Sequence, residues 1–470
     1  MARWWPRLLL VLTVAVLGAL ALVAAPHGQP VASAPSATRT WHVAPGAEGD
    51  GSSARPFGTL AAALTVAAAG DQVAVGPGVY DETLVTERDG TDTSPLVIRA
   101  AVPGDRPVIG RGGRAATLAH RHVIIDGLVF DGRFGADDAV RVTSGATGLV
   151  LRNVEVRNAG RDCIDMAAPA DVTVDQALIH HCLNASGGRT DAHGIVAGAV
   201  LGLTIRDTEI HTFSGDAIQL DPSRAEPGWT KLRVERARLW IAPLPEPANG
   251  FPAGTVPGEN GIDTKTPAAG DRATLTVVDT EAWGFRDGLV ANMAAFNIKE
   301  RVDATFDKIT VHASQVAFRL RGPADQGATV TIQNAVVHDV ATAIRYEDGL
   351  AALRVHHLTA GRGVTRVFHR VSAPATALDV RNLLLLGAAL PAEATGRGLA
   401  VSQEAFVNAE GDDYQLQSDS PARDTGTPGA ASGTDRAGVP RPQGSAPDVG
   451  AYEYCSPCPP RSPARLRQVR

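Results

Sequence analysis

The densest run of chemically capable side chains is Gly258-Glu-Asn-Gly-Ile-Asp-Thr-Lys265, which sets carboxylates, an amide and an amine close together. Ser214-Gly-Asp-Ala-Ile-Gln-Leu-Asp221 precedes it, and Gly284-Phe-Arg-Asp-Gly288 follows. Carboxylate and amide oxygens are the ligands a hard divalent cation such as Ca2+ takes. A lysine or arginine among them acts as a Brønsted base where neighbouring positive charge lowers its pKa. The mixture suits removal of a proton α to a carboxylate, because a bound cation neutralises the charge that builds on the product. Asp221 works against this unless metal takes its charge, since it holds Lys265 protonated. A plainer reading makes Lys265 and Asp221 a solvated ion pair worth at most about 1 kcal/mol. Asp216, Asn260 and Asp287 each precede an inward position by two residues, which also suits a role capping turns. His193, in Asp191-Ala-His-Gly194, reads equally as the edge of a site or as a turn hydrogen bond.

Strands must position these groups. Eight segments alternate apolar or small residues with outward ones: Val140–Thr143, Ile164–Ala167, Ile195–Gly198, Ile218–Asp221, Ile262–Lys265, Leu289–Asn292, Phe318–Arg321 and Ile344–Glu347. Period-two alternation means a strand with one buried face. Recurrence at intervals of 24, 31, 23, 44, 27, 29 and 26 residues means stacked coils, each giving one strand to a shared sheet. The outward positions should then form two columns on a flat solvent face. One runs Arg141, Asp165, Val196, Gln219, Asp263, Val290, Arg319, Arg345; the other runs Thr143, Ala167, Gly198, Asp221, Lys265, Asn292, Arg321, Glu347. A second series, from Val123-Ile-Ile-Asp126 through Leu378-Asp-Val-Arg-Asn382, supplies another strand to each coil, each near an Asp, Asn or His turn residue. The longest interval carries a Pro- and Gly-rich insertion at 241–258, expected as a loop beside the coil of Lys265.

The 470 residues need not mean several domains, because an elongated stack uses the length as one unit. Formal net charge is −6, or −8 without Arg3 and Arg7, which argues against bulk nucleic-acid binding. Lysine is confined to Lys231, Lys265, Lys299 and Lys308. Residues 1–34 read as an export signal: Arg3 and Arg7, an apolar run from Leu8 to Ala25, and Ala32-Ser-Ala34 as a cleavage site. If cleaved, no membrane span is expected; uncleaved, the run is near the length of an anchor. Export brings an oxidising compartment, although the differing phases of Cys163 and Cys182 leave their pairing open. Residues 35–96 read as a linker and an N-terminal cap of strand, helix and strand. The coils occupy 97–390, a loop-rich C-terminal cover 391–454, and a disordered tail 455–470.

The cap, the coils and the closing Asp448-Val-Gly-Ala-Tyr-Glu453 resemble secreted bacterial right-handed parallel β-helix proteins of the pectate-lyase-like superfamily. The resemblance spans nearly all of the chain beyond the signal and implies an all-β solenoid, monomeric and extracytoplasmic. Around Lys265 it narrows to β-helix polysaccharide lyases, both the chondroitinase-B and alginate-lyase group and the lysine-dependent pectate lyases. In the first group the base lysine is followed by Arg-x-Gly on the next coil; here Lys265 is followed by Arg286-Asp-Gly288. The resemblance implies calcium-assisted β-elimination on an acidic, uronate-containing polysaccharide, with Lys265 as base, Arg286 as acid or charge stabiliser, and Asp216, Asp221, Glu259, Asn260 and Asp263 as candidate holders of Ca2+. Arg321, two coils on in the column of Lys265, is the substitute for Arg286. His193, Gln219, Asn292, Arg319 and Arg345 would contact substrate. Three alternatives stand beside it: a glycoside hydrolase using Asp216, Asp221 and Asp263, a C5-epimerase, and a non-catalytic envelope or carbohydrate-binding protein.

Overall fold

The computed structural model describes residues 38–185, 191–322, 327–347, 349–372, 377–429 and 433–458. The expected export signal and residues 459–470 of the expected tail lie outside the described residues. Nearly every strand pairs in parallel with a strand of the neighbouring coil, and the pairs build three long stacks. The first runs through Ile125, Leu151, Val174, Ile205 and Val234 in continuous register. The second includes Glu155–Ala159, Leu178–Cys182, Glu209–Phe213, Arg238–Trp240 and Glu281–Trp283. The third aligns Val140, Ile164, Ile195, Ile218, Ile262, Phe296, Phe318 and Ile344, all fully buried. The fold is the expected right-handed parallel β-helix; among the described residues it carries one short α-helix, Leu60–Val66, near its start.

Alternation builds the core: inward Val, Ile, Leu and Phe stack coil upon coil into one continuous apolar column. From Asn153 to Asn382 each coil turns between the first and second stacks on a single residue in left-handed conformation. Asn153, Gln176, Asp207, Arg236, Asp279, Lys308, Asn334, His357 and Asn382 hold this place in succession, with φ between 48° and 61°. The turn residues expected beside the second strand series thus mark a true corner, and several are Asn or Asp, which tolerate that conformation.

One register expectation fails. Leu289–Asn292 is not a strand; Leu289 is 54% exposed, and the third-stack strand of this coil is Ala294–Ile298. Both segments alternate, but Phe296 offers the larger apolar surface. It packs against Phe318 and Phe306, at ring-centroid distances of 5.3 and 4.9 Å. Burying that ring decides the phase. The outward residues of this coil are therefore Asn297 and Lys299 rather than Val290 and Asn292.

The cysteines pair as Cys163–Cys182, across the corner between the second and third stacks, and as Cys455–Cys458. Segments near the C-terminus lie along the coils and bury Tyr414, Leu416, Val449 and Ala451 against Val336 and Leu384.

Candidate functional site

The third stack carries the site. One outward column reads Gln219, Asp263, Asn297, Arg319, Arg345; the other reads Asp221, Lys265, Lys299, Arg321, Glu347. The pairing of Gln219 with Asp263 is as expected, whereas the flat solvent face is not. Asp263 is 3% exposed and Lys299 6%, because long side chains on adjacent coils fold over one another. Asp263 is gripped from both sides: Lys299 Nζ lies 2.6 and 2.9 Å from its two carboxylate oxygens, and Lys265 Nζ lies 3.2 Å from Oδ2. Lys265 is thus paired with Asp263, not with Asp221 as the sequence suggested. Asp221 leaves the strand in left-handed conformation (φ 45°), and its Oδ2 is buried without a hydrogen-bond partner among the described residues. Burial, helped by Glu226, pushes its carboxyl up to about 6.

Beyond the lysines, Arg319 Nε and Arg345 Nη2 lie 3.1 and 3.2 Å from Glu347. Burial alone would raise the Glu347 carboxyl, but the two guanidiniums outweigh it and hold it low. Asn292, displaced from the column, still reaches this group, and its Oδ1 accepts from Arg345 Nη1 at 2.7 Å. Arg321 Nε is buried with no hydrogen-bond partner among the described residues. From Lys265 to Glu347 the two columns therefore present Lys265, Lys299, Arg319, Arg321 and Arg345 against only Asp263 and Glu347.

A row of turn side chains binds each coil to the next where the chain enters this stack. Asp162 accepts from His193 N (2.8 Å) and His193 Nδ1 from Asp216 N (2.8 Å). Asp216 Oδ1 accepts from Asn260 N and Nδ2 (3.1 and 2.8 Å), and Asn260 Oδ1 from Ala294 N (3.0 Å). Asp216 Oδ2 takes Gln219 Nε2 at 2.8 Å. The turn-capping alternative for Asp216 and Asn260, and the turn hydrogen bond for His193, describe these contacts; Asp287 is exposed and is not in the row. Gly215 makes room for it: a Cβ there would stand 2.4 Å from the His193 ring. Burial lowers the His193 pKa although Asp162 and Asp191 oppose it. Burial, then the charge of Asp263, pushes Asp216 up to about 7 against its hydrogen bonds from Asn260 and Gln219. Glu259 is likewise pushed up to about 7, by burial and then by Asp216, Asp191 and Asp263.

Arg286 does not join Lys265. It lies at the corner between the second and third stacks, 3.0 Å from Asp339, and both side chains are about half exposed. The reason is again register: Gly284–Asn292 is the turn, not the approach to a strand at Leu289. The insertion does not stand only beside the Lys265 coil either. Its Leu244 and Phe251 fold back onto Leu183 of earlier coils, with Phe134 against them. The other margin carries Trp229, whose Nε1 donates to the Lys265 carbonyl at 2.8 Å.

The chemistry of these contacts also tests the expected calcium ligands. Asp216 and Asn260 spend their oxygens on the turn row, and Asp263 spends its carboxylate on two ammonium groups. Among the described residues no three His, Cys, Asp or Glu side chains are placed to hold a metal ion. Held in this way Asp216, Asn260 and Asp263 do not fit Ca2+, and Asp221 and Glu259 join no cluster of three such side chains among the described residues. Lys299 and Asn297 are the site residues that sequence reasoning missed. The alternation Ala294, Phe296, Ile298 and the rarity of lysine were the signals for them.

No protein-family model matches the chain, and no curated protein matches it in sequence. Solved structures do match. A rhamnogalacturonan lyase aligns over 79% of this chain and 91% of its own at 13% identity, with a TM-score of 0.51. The pectate lyase Pel9A aligns over 89% and 97% at 16% identity, with a TM-score of 0.42. The Streptococcus pneumoniae surface protein and adhesin PfbA aligns over 76% and 98% at 10% identity, with a TM-score of 0.45. Identities this low speak to architecture alone. The chain has the right-handed parallel β-helix fold of the pectate-lyase-like proteins.

Proposed function

We propose that the protein is an exported carbohydrate-active protein that binds an acidic, uronate-containing polysaccharide along the third stack and cleaves it by β-elimination. The observation that carries this reading is the cation excess from Lys265 to Arg345, on a fold that a rhamnogalacturonan lyase shares. Arg319 and Arg345, braced by Glu347, present donors in fixed orientation, as carboxylate recognition requires. In the proposed step Lys265 first gives its proton to water, leaving Lys299 to balance Asp263, and the free amine then takes the proton α to the uronate carboxylate. The electron pair forms the carbon–carbon double bond and expels the glycosidic oxygen at the β carbon, which takes a proton from water. Arg321, whose Nε has no hydrogen-bond partner among the described residues, stabilises the charge on the carboxylate during the step.

The test is an ultraviolet assay for unsaturated uronate with pectate, alginate, chondroitin or dermatan sulfate, and hyaluronan, comparing the wild type with Lys265→Ala. Absorbance that rises with the wild type and falls at least a hundredfold in the variant, as expected for loss of a general base (roughly 10²–10⁴), supports the reading. A second reading rests on Glu259, a half-buried acid held up to about 7 and so suited to protonate a leaving oxygen in glycoside hydrolysis. New reducing ends without unsaturation would favour it. Binding with neither product would leave a carbohydrate-binding protein.

A further inference from the structure

We infer that the charged face of the third stack is closed to divalent cations by Lys299, and that the protein neutralises a bound carboxylate with side-chain cations instead of calcium. The inference rests on the acidic-polysaccharide reading above and adds a positioning residue to it. Asp263 is the acidic member of its column nearest Lys265, and it is the group a calcium ion at this coil would need most. Both of its oxygens lie within 2.9 Å of the Lys299 ammonium, and Lys265 stands 3.2 Å from Oδ2. A divalent ion at 2.3–2.6 Å from the same oxygens would overlap the ammonium and meet its charge.

Lys299 is fixed in that place by its backbone. Its N–H donates to Thr264 Oγ1 at 2.9 Å, and Thr264 is itself fully buried. The neighbouring turn carboxylate, Asp216, cannot swing in to complete a metal site, because three donors hold it. Beside Asp263, the partly exposed Lys265 and the guanidiniums of Arg319, Arg321 and Arg345 are the cations available to a ligand. Lys299 acts through Asp263, orienting the carboxylate that in turn orients Lys265.

The experiment uses the purified protein in two readouts: calorimetric titration with CaCl2, and retardation in gels containing polygalacturonate or alginate, run with calcium and with chelator. The expected result is no saturable calcium binding up to millimolar concentration and equal retardation in both gels. Lys299→Gln should weaken retardation about tenfold or more, the usual scale for removing a charge-assisted contact, while Lys299→Arg stays within about threefold. Circular dichroism checks that both variants fold. Saturable calcium binding that Asp263→Asn abolishes, or retardation that needs calcium, overturns the inference. So does an equal loss in the Arg variant, which would mean that Lys299 serves by shape rather than charge. Retardation in neither gel would instead defeat the acidic-polysaccharide reading, and the inference with it.

Discussion

Replacing Asn260 tests whether the row of turn side chains is structural. Asn260 is 6% exposed and works three ways: its N–H and Nδ2 donate to Asp216 Oδ1, and its Oδ1 accepts from the buried N–H of Ala294. In Asn260→Ala the backbone bond to Asp216 survives. The Ala294 N–H loses its acceptor, at a cost of about 1–3 kcal/mol, and Asp216 loses a charge-assisted donor worth about 1.5–3 kcal/mol. A destabilisation of roughly 2–4 kcal/mol follows, allowing for partial relaxation. Asn260→Asp keeps the acceptor for Ala294 but sets a second carboxylate against Asp216, so at neutral pH it should be no better than Ala. Urea unfolding followed by tryptophan fluorescence is the assay, since Trp240 and Trp283 lie on coils flanking this turn. The reasoning is refuted if Asn260→Ala costs less than about 0.5 kcal/mol, the range of an inconsequential surface change. It is equally refuted if the cost appears only when calcium is present, which would make Asn260 a ligand.

Acid should loosen a second region. On the outer face of the second stack His180, His211, Trp240, Trp283, His312 and His338 form a continuous pile of near-parallel rings, with interplanar angles of 7–12°. Burial, then His180 and His181, holds His211 down to about 3, against about 6.5 for the unfolded chain. Between those values the unfolded state binds more protons, so this contribution is complete above about pH 6.5 and is lost as pH falls towards 3. Buried carboxyls such as Glu259 slope the other way in part of that window, so the readable quantity is a difference. His211→Phe, which keeps a ring in the pile, should gain about 1 kcal/mol on the wild type between pH 7.5 and 5.5, as read from urea midpoints. A pH-independent difference would sink the idea. Separately, Arg321→Ala should weaken retention on polyuronate about tenfold or more, while Arg286→Ala, whose partner Asp339 is half exposed, should change nothing measurable. Affinity electrophoresis of both variants decides; the reverse order would restore Arg286 to the site.

Much of this was readable from the chain, for a physical reason. A coil of the β-helix is specified by short-range information: alternation selects the buried face, and a turn residue tolerant of left-handed conformation ends each strand. Val140, Ile164, Ile195, Ile218 and Ile262 therefore stack as their spacing required, and Gln219 and Asp263 are neighbours as the register demanded. The same logic failed at Leu289, where two alternating segments lay five residues apart and only the fit of Phe296 between Ile262 and Phe318 could choose.

What the sequence determined alone was the solenoid, its inward faces and the column on which charge would gather. Tertiary structure decided which charges meet. Lys265 turned from Asp221 to Asp263, Lys299 entered from a strand whose phase alternation alone does not choose, and Arg286 stayed with Asp339 at a corner. It also gathered histidines scattered along the chain into one stacked pile with Trp240 and Trp283. The reason is geometric: alternation fixes the side of the sheet on which a residue stands. Partners, however, are chosen by long, flexible side chains reaching diagonally across coils that are distant in sequence and about 4.8 Å apart in space.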